Sequence, residues 1–209
     1  MHRLRAWSFF GFARNWARRP MGSAGRDEHL NLLRECGAFL EGHFLLSSGR
    51  HSDVYVEKFR LLERPELTGK FASGIAKHFA GQPIDLVVGP LTGGVLVAHE
   101  VAKFLGQRLA FPERIDGKME WRRGFRIHEE QHVLICEDVI TTGGSVAEVK
   151  EAVEREGGDV IGIACLIQRG QTDLTPAPFA VVQLDLQSWT PTECPLCKSG
   201  VPLEKRGSR

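Results

Sequence analysis

Val133-Leu134-Ile135-Cys136-Glu137-Asp138-Val139-Ile140-Thr141-Thr142-Gly143-Gly144-Ser145 decides how the rest of the chain is read. Four apolar residues bury a strand, two acids stand at its carboxyl edge, and a Thr-Thr-Gly-Gly-Ser loop leads into a helix carrying Val146, Val149, Ala152 and Val153. A loop at a helix N-terminus presents unpaired backbone N–H groups at the positive end of the helix dipole, which is a cradle for phosphate. Gly143 and Gly144 let the backbone approach an anion, and the Thr and Ser hydroxyls add donors. Carboxylates repel phosphate, so Glu137 and Asp138 suit something else beside it: hydroxyls that donate to them, or a metal-bound ligand. Phosphate next to a vicinal diol describes a ribose 5-phosphate. Taken alone, the acid pair would be read as a strand cap and the glycines as a turn. The thirteen-residue pattern is more specific, and it is neither G-x-x-x-x-G-K-[ST] nor G-x-G-x-x-G.

Working outward, the same strand-to-helix grammar recurs. Ile84 to Val88 reads as a strand running through Gly89-Pro90-Leu91-Thr92-Gly93-Gly94 into a helix of Val95, Ala98, Val101, Ala102 and Leu105. Val160–Ile167 and Phe179–Leu184 read as further strands, and Pro65 opens a helix to about Phe79 with Leu67, Phe71, Ile75 and Phe79 on one face. Alternating strands and helices predict an α/β fold with a mainly parallel central sheet flanked by helices, and ligands beyond the carboxyl ends of its strands. Before that core, Leu30, Leu33, Phe39 and Leu40 predict an amphipathic helix, and His43–Lys58 a hairpin turning at Ser47-Ser48-Gly49-Arg50.

The 209 residues carry 27 Lys+Arg and 26 Asp+Glu, but unevenly. Residues 1–26 hold six arginines and no acid, leaving 21 bases against 26 acids in the body. A mildly acidic body argues against a general nucleic-acid binder. The apolar runs fall far short of the roughly 20 residues of a membrane span. Five scattered cysteines (Cys36, Cys136, Cys165, Cys194, Cys197) fit a reduced, cytoplasmic setting. The basic front admits three readings: a transit peptide, a segment lying on an anionic membrane surface, or a bland one in which it is an unpacked extension or translation begins at Met21.

Residues 133–145 resemble the phosphoribosyl-pyrophosphate signature of type I phosphoribosyltransferases. Within that family the chain most resembles the orotate phosphoribosyltransferases. Phe44–Tyr55 is similar to their N-terminal hood, Gly89–Gly94 sits where their pyrophosphate loop does, and Leu166–Gly170 matches the place of their orotate-binding arginine. The ending from Cys194-Pro195-Leu196-Cys197 to Gly207-Ser208-Arg209 is similar to one bacterial subgroup. The resemblance covers about residues 27–209 and implies a hood over about 27–64, a core over about 65–190 and a C-terminal tail over 191–209. It implies transfer of ribose 5-phosphate from phosphoribosyl pyrophosphate (PRPP) to orotate in pyrimidine (UMP) synthesis. Mg²⁺ would be held mainly through substrate oxygens, in a homodimer that shares a catalytic loop between subunits.

Carried over by residue, PRPP binding falls to Glu137, Asp138, Val139, Ile140, Thr141, Thr142, Gly143, Gly144 and Ser145, with Leu91, Thr92, Gly93 and Gly94 on the pyrophosphate. Orotate falls to Thr141 and Arg169. Relatives carry a lysine in the Leu91–Gly94 loop and this chain does not. The catalytic loop, between Phe111 and Val133, looks shortened; Arg114 and Lys118 are its best candidates for pyrophosphate, then Arg122 and Arg123. For each of these cations a solvated surface charge fits as well. Lys58 could reach a phosphate or orotate or simply be exposed, and Arg50 either packs the hood turn or touches pyrophosphate. Cys194-x-x-Cys197 is half of a zinc site; a second pair is missing from this chain, though a dimer could supply one by symmetry, and a metal-free turn, zinc and redox chemistry are all open. Two other functions compete: a purine phosphoribosyltransferase, needing a stacking aromatic such as Tyr55 or Phe44, and a non-catalytic regulator that keeps the PRPP site and binds RNA.

Overall fold

In the computed structural model, residues 23–46 and 48–206 are described. The basic front up to residue 22 lies outside them, so its three readings stay where the sequence left them. The expected boundary at Asp27 falls inside the first helix, α1 (Ser23–Glu35). That helix stops earlier than the apolar spacing predicts: Phe39 and Leu40 open strand β1 (Phe39–Leu45) instead. The cause is Gly37, whose φ of +76° turns the chain out of the helix while the Ala38 N–H bonds back to Leu33 O at 2.9 Å.

β1 pairs antiparallel with β2 (His51–Val56), a short helix α2 (Phe59–Leu62) follows, and α3 (Pro65–Phe79) runs with Pro65 in its first turn. Phe71 and Ile75 of α3 are fully buried, each stabilising the fold by about 1.5–3 kcal/mol. The core then alternates: β3 (Leu86–Val88), α4 (Gly93–Leu105), β4 (Arg108–Ala110), a hairpin of β5 (Pro112–Ile115) and β6 (Lys118–Trp121), β7 (His132–Ile140), α5 (Gly144–Arg155), β8 (Asp159–Arg169) and β9 (Phe179–Leu184). The chain closes with α6 (Pro195–Lys198) and β10 (Glu204–Lys205).

The central sheet has the order β4-β3-β7-β8-β9 with every pair parallel, as the alternating pattern predicts. Side chains of β7 alternate between its two covered faces. Leu134 and Cys136 join Phe71, Ile75, Val97 and Val101 of α3 and α4, while Val133 and Ile135 join Val146, Val149 and Val153 of α5. Strand order reverses between β3 and β7, because β3 is followed by β4 on one side and β7 is followed by β8 on the other. A crevice at that reversal, beyond the strands' carboxyl ends, is where a sheet of this kind takes its ligand.

One sequence expectation is corrected here. β7 continues through the acid pair and Ile140 rather than ending at Cys136, because β8 extends far enough to pair with it there (Glu137 with Cys165, Ile140 with Gln168). β3 stops opposite Ile135, so Glu137 and Asp138 project past it into the crevice. The shortened catalytic loop is an ordered hairpin, since Asp116 and Gly117 both take positive φ (+47° and +81°) and Asp-Gly is a strong two-residue turn signal. The C-terminal segment joins the hood: β10 adds in parallel to β1, giving a hood sheet β10-β1-β2, and Trp189 bridges His51. No helix among the described residues is long and apolar enough to cross a membrane.

Candidate active site

Glu137 and Asp138 are 8% and 2% exposed at the sheet's reversal point. Lys58, just after β2, reaches down from the hood to Asp138, its Nζ lying 3.1 Å from Oδ1 and 2.8 Å from Oδ2. Glu137 has no such cation of its own, and its Oε1 accepts the Asp138 backbone N–H at 2.9 Å. Burial, then the neighbouring Asp138 charge, pushes the Glu137 carboxyl up to about 8, against the opposing pull of the backbone N–H and Lys58.

The start of α4 fits against this pair only because its first two residues, Gly93 and Gly94, lack side chains. A Cβ on Gly93 would sit 1.5 Å from Asp138 Oδ2, and one on Gly94 2.7 Å from Glu137 Oε1. The glycines thus make room for carboxylates, a reason beyond the approach to an anion that sequence alone suggested.

On the other side of the acids, α5 begins with Gly143 at φ +83° and no side chain capping it. The first N–H groups of that helix therefore remain available to a ligand. They face a cavity of about 240 Å³ bounded by Glu137, Thr141 to Ser145 and Glu148. Gly143 is constrained twice, by its positive φ and by Leu174, whose Cδ1 would lie 2.7 Å from an added Cβ.

Arg169 ends β8, one residue beyond the Gln168–Ile140 pair, which places it level with Thr141. Its Nε is buried and has no hydrogen-bond partner. Burial lowers the guanidinium's pKa, and Tyr55 of the hood opposes that shift. Glu137 and the uncapped helix terminus thus line one cavity, and half-buried Arg169, with its unpartnered Nε, ends the neighbouring strand.

Residues 61–191 match the phosphoribosyl transferase domain family. The chain is 44% identical over 186 residues to the orotate phosphoribosyltransferase of Caldicellulosiruptor bescii, covering 88% of this chain and 98% of that one. It is 45% identical to the enzyme of the same name from Pelotomaculum thermopropionicum, with the same coverage. The chain belongs to the orotate phosphoribosyltransferase family. A solved structure of that name from Aeropyrum pernix is similar with a TM-score of 0.63 at 27% identity, covering 74% of this chain and 92% of that one.

Against that family's expectations, the remaining cations divide. Lys58 is part of the site, held by Asp138. Arg50 is tied to the tail, its guanidinium donating to the Ser188 hydroxyl at 2.9 Å and to the Ser188 carbonyl, so it packs the hood turn. Arg114 pairs with Glu148, itself on the cavity wall, and donates to Gly117 O at 3.0 Å. Arg123 pairs with Glu113 at 2.6 Å, while Lys118 and Arg122 are exposed. The hairpin is anchored on α5 by Trp121 Nε1 donating to Ala152 O at 3.1 Å and by Arg155 donating to Met119 O at 2.9 Å.

Two site residues escaped the sequence reading. Glu148 lies one helical turn past Ser145, where the i, i+3 spacing on α5 could have flagged it. Tyr55 was weighed only as a stacking ring, but its closeness to Arg169 arises across the hood, where no local pattern points.

Proposed function

We propose that this chain transfers the phosphoribosyl group of PRPP to N1 of orotate, giving orotidine 5′-monophosphate and pyrophosphate for UMP synthesis. The supporting observation is the meeting of the Glu137–Asp138 pair with the uncapped N-terminus of α5 at the β3–β7 crevice. In the reaction the bond from C1 of the ribose to pyrophosphate breaks and a bond to orotate N1 forms, so positive charge develops on the sugar while negative charge departs. No enzyme nucleophile is needed.

The α5 terminus and the hydroxyls of Thr141, Thr142 and Ser145 take the 5-phosphate, with the backbone of Val139 and Ile140 continuing the cradle. Glu137 and Asp138 accept the ribose hydroxyls, and their buried charge favours the developing sugar cation. Burial, with the Asp138 charge beside it, favours the protonated form of Glu137 in the free site. Arg169 presents its planar fork to the orotate carboxylate, which would fill the missing partnership of its Nε. Leu91 to Gly94 offer backbone N–H groups to pyrophosphate. Lys58 supplies a cation beside the acids, where this chain lacks the loop lysine. Arg114 and Lys118, on the β5–β6 hairpin, stand nearby to meet pyrophosphate; Arg114 would exchange the Glu148 carboxylate for it.

Mg²⁺ belongs to this reading. Two buried carboxylates beside a phosphate cradle are a hard-oxygen donor set, and a dication would relieve the repulsion that raises Glu137. When bound, it neutralises charge on the pyrophosphate. A homodimer sharing the β5–β6 hairpin between sites, in a cytoplasmic setting consistent with five free cysteines, completes the proposal.

The test is loss of orotate absorbance in the presence of PRPP and Mg²⁺. Turnover with orotate is expected; no loss with orotate but turnover with a purine base would overturn the acceptor assignment. Light scattering on the same preparation should give twice the chain mass.

A further inference from the structure

Four side chains away from this crevice converge on a single point. His43 comes from β1, His51 from β2, Cys194 caps α6 and Cys197 lies within it; their ligating atoms all lie within 4.8 Å of one another. His43 Nε2 is 3.0 Å from His51 Nδ1, 3.4 Å from Cys194 Sγ and 3.7 Å from Cys197 Sγ. Cys197 Sγ is 3.3 Å from His51 Nδ1. A tetrahedral ion with nitrogen at about 2.0–2.1 Å and sulfur at about 2.3 Å spaces its ligand atoms about 3.3–3.8 Å apart. Three of the edges, at 3.3–3.7 Å, fall in that range, the His43–His51 edge at 3.0 Å is slightly shorter, and all six lie within 4.8 Å.

The lone pairs are also aimed. His43 Nδ1 lies 2.8 Å from Val201 O, a carbonyl that can only accept, so the ring proton sits on Nδ1 and Nε2 turns its lone pair inward. One lone pair accepts one hydrogen bond, yet three polar atoms crowd this nitrogen. Hydrogen bonding within the cluster therefore explains one contact and leaves the others without a reason. His43, His51 and Cys194 are 2%, 4% and 0% exposed, and polar groups buried this deeply need partners. Both cysteines are free of disulfide. Two thiolates and two neutral imidazoles would balance a dication.

The backbone prepares this arrangement. His51 pairs with Leu45, and His43, two residues earlier, shares Leu45's face of the hairpin, so the histidines are diagonal neighbours. The second ligand pair that the Cys-x-x-Cys segment needs is thus supplied by the hood of the same chain.

We propose that His43, His51, Cys194 and Cys197 bind one zinc ion in a closed structural site that pins the C-terminal segment to the hood. All four coordination positions come from protein, leaving none for a reacting water. Around it the same two segments are joined by the His51–Trp189 backbone bonds, by Arg50 on Ser188 and by β10 on β1. The hood so fixed is the part that presents Lys58 and Tyr55 to Asp138 and Arg169. This inference does not depend on which base the enzyme accepts.

The experiment is elemental analysis of the full chain, purified under reducing conditions without chelator from cells supplied with zinc. About one zinc per chain is expected. Less than a tenth of a zinc per chain in the unmodified protein, or a Cys194–Cys197 disulfide in its intact mass, would overturn the proposal. Refolding or exchange with Co²⁺ should give thiolate charge-transfer absorption and the intense visible bands of a tetrahedral site. A weak, octahedral-type spectrum would count against it. Cys194→Ser and His51→Ala should each lose most of the bound zinc; full retention in soluble Cys194→Ser would also overturn the assignment. The metal count and cobalt spectrum use the unmodified chain and do not depend on either variant folding.

Discussion

The Glu137–Asp138 pair and the His43–His51–Cys194–Cys197 cluster both gather polar groups against the hood, the first buried and the second buried except for Cys197, but they are built in opposite ways. The acids are consecutive in sequence and buried together, so burial and the Asp138 charge push Glu137 toward its protonated form in the free protein, while Lys58 pairs with Asp138. The cluster joins residues separated by up to 154 positions, and its groups are complementary around a cation. A site that holds strain until substrate arrives serves chemistry; a site whose groups satisfy one another through an ion serves stability. Substitutions should therefore separate activity from stability in opposite directions at the two places.

The largest effect is expected at the acids. Asp138→Asn should lower kcat/KM for PRPP by about 10²–10³-fold while leaving Tm unchanged or higher, read by orotate absorbance and thermal melting. Retention of more than a tenth of the activity would remove Asp138 from the chemistry. Next, Cys194→Ser should reverse that pattern, lowering Tm by about 5–15 °C through loss of a bound ion while keeping kcat at saturating substrate within about twofold. An unchanged Tm would erase the contrast between the two clusters.

Arg169→Ala should raise the orotate KM by about 10–100-fold with much less effect on the PRPP KM, and Arg169→Lys should not restore it, because an ammonium lacks the planar fork. Equal losses for both substrates would place Arg169 in the fold rather than on orotate.

The smallest effect is a pH slope. The folded Glu137 pKa of about 8 lies above the ordinary 4.5, so the unfolded chain gives up this proton first. Its contribution is fully present below about pH 4.5, is lost as pH rises, and is gone above about pH 8. Glu137→Gln should flatten this part of the Tm–pH curve, by about 2–4 °C for each kcal/mol involved. Parallel curves for the two proteins in ligand-free buffer would show that the acid pair is not strained.

Much of the fold was legible because its signals are local. Pro65 and the Phe71–Ile75–Phe79 face place α3, and the run from Phe179 to Leu184 places β9. The errors occurred where local signals compete. Apolar spacing carried the first helix past Gly37, whose positive φ ends it. Within the expected catalytic loop, the Asp116-Gly117 turn signal for the β5–β6 hairpin went unread. At the site, Glu137 to Ser145 read directly because strand, acids and helix start are contiguous. Lys58 stayed ambiguous because its partner is 80 residues away.

The sequence by itself determined the parallel α/β core, the phosphate-binding turn and the family, since each is written in neighbouring residues whose periodicity and backbone freedom act over a few positions. Only the tertiary structure placed Lys58 on Asp138, Arg50 on Ser188 and the terminal cysteines beside two histidines. Two cysteines on one short turn leave a tetrahedral ion half enclosed. It took the pairing of β1 with β2, and the return of β10 to the same sheet, to bring the two histidines within bonding distance of them.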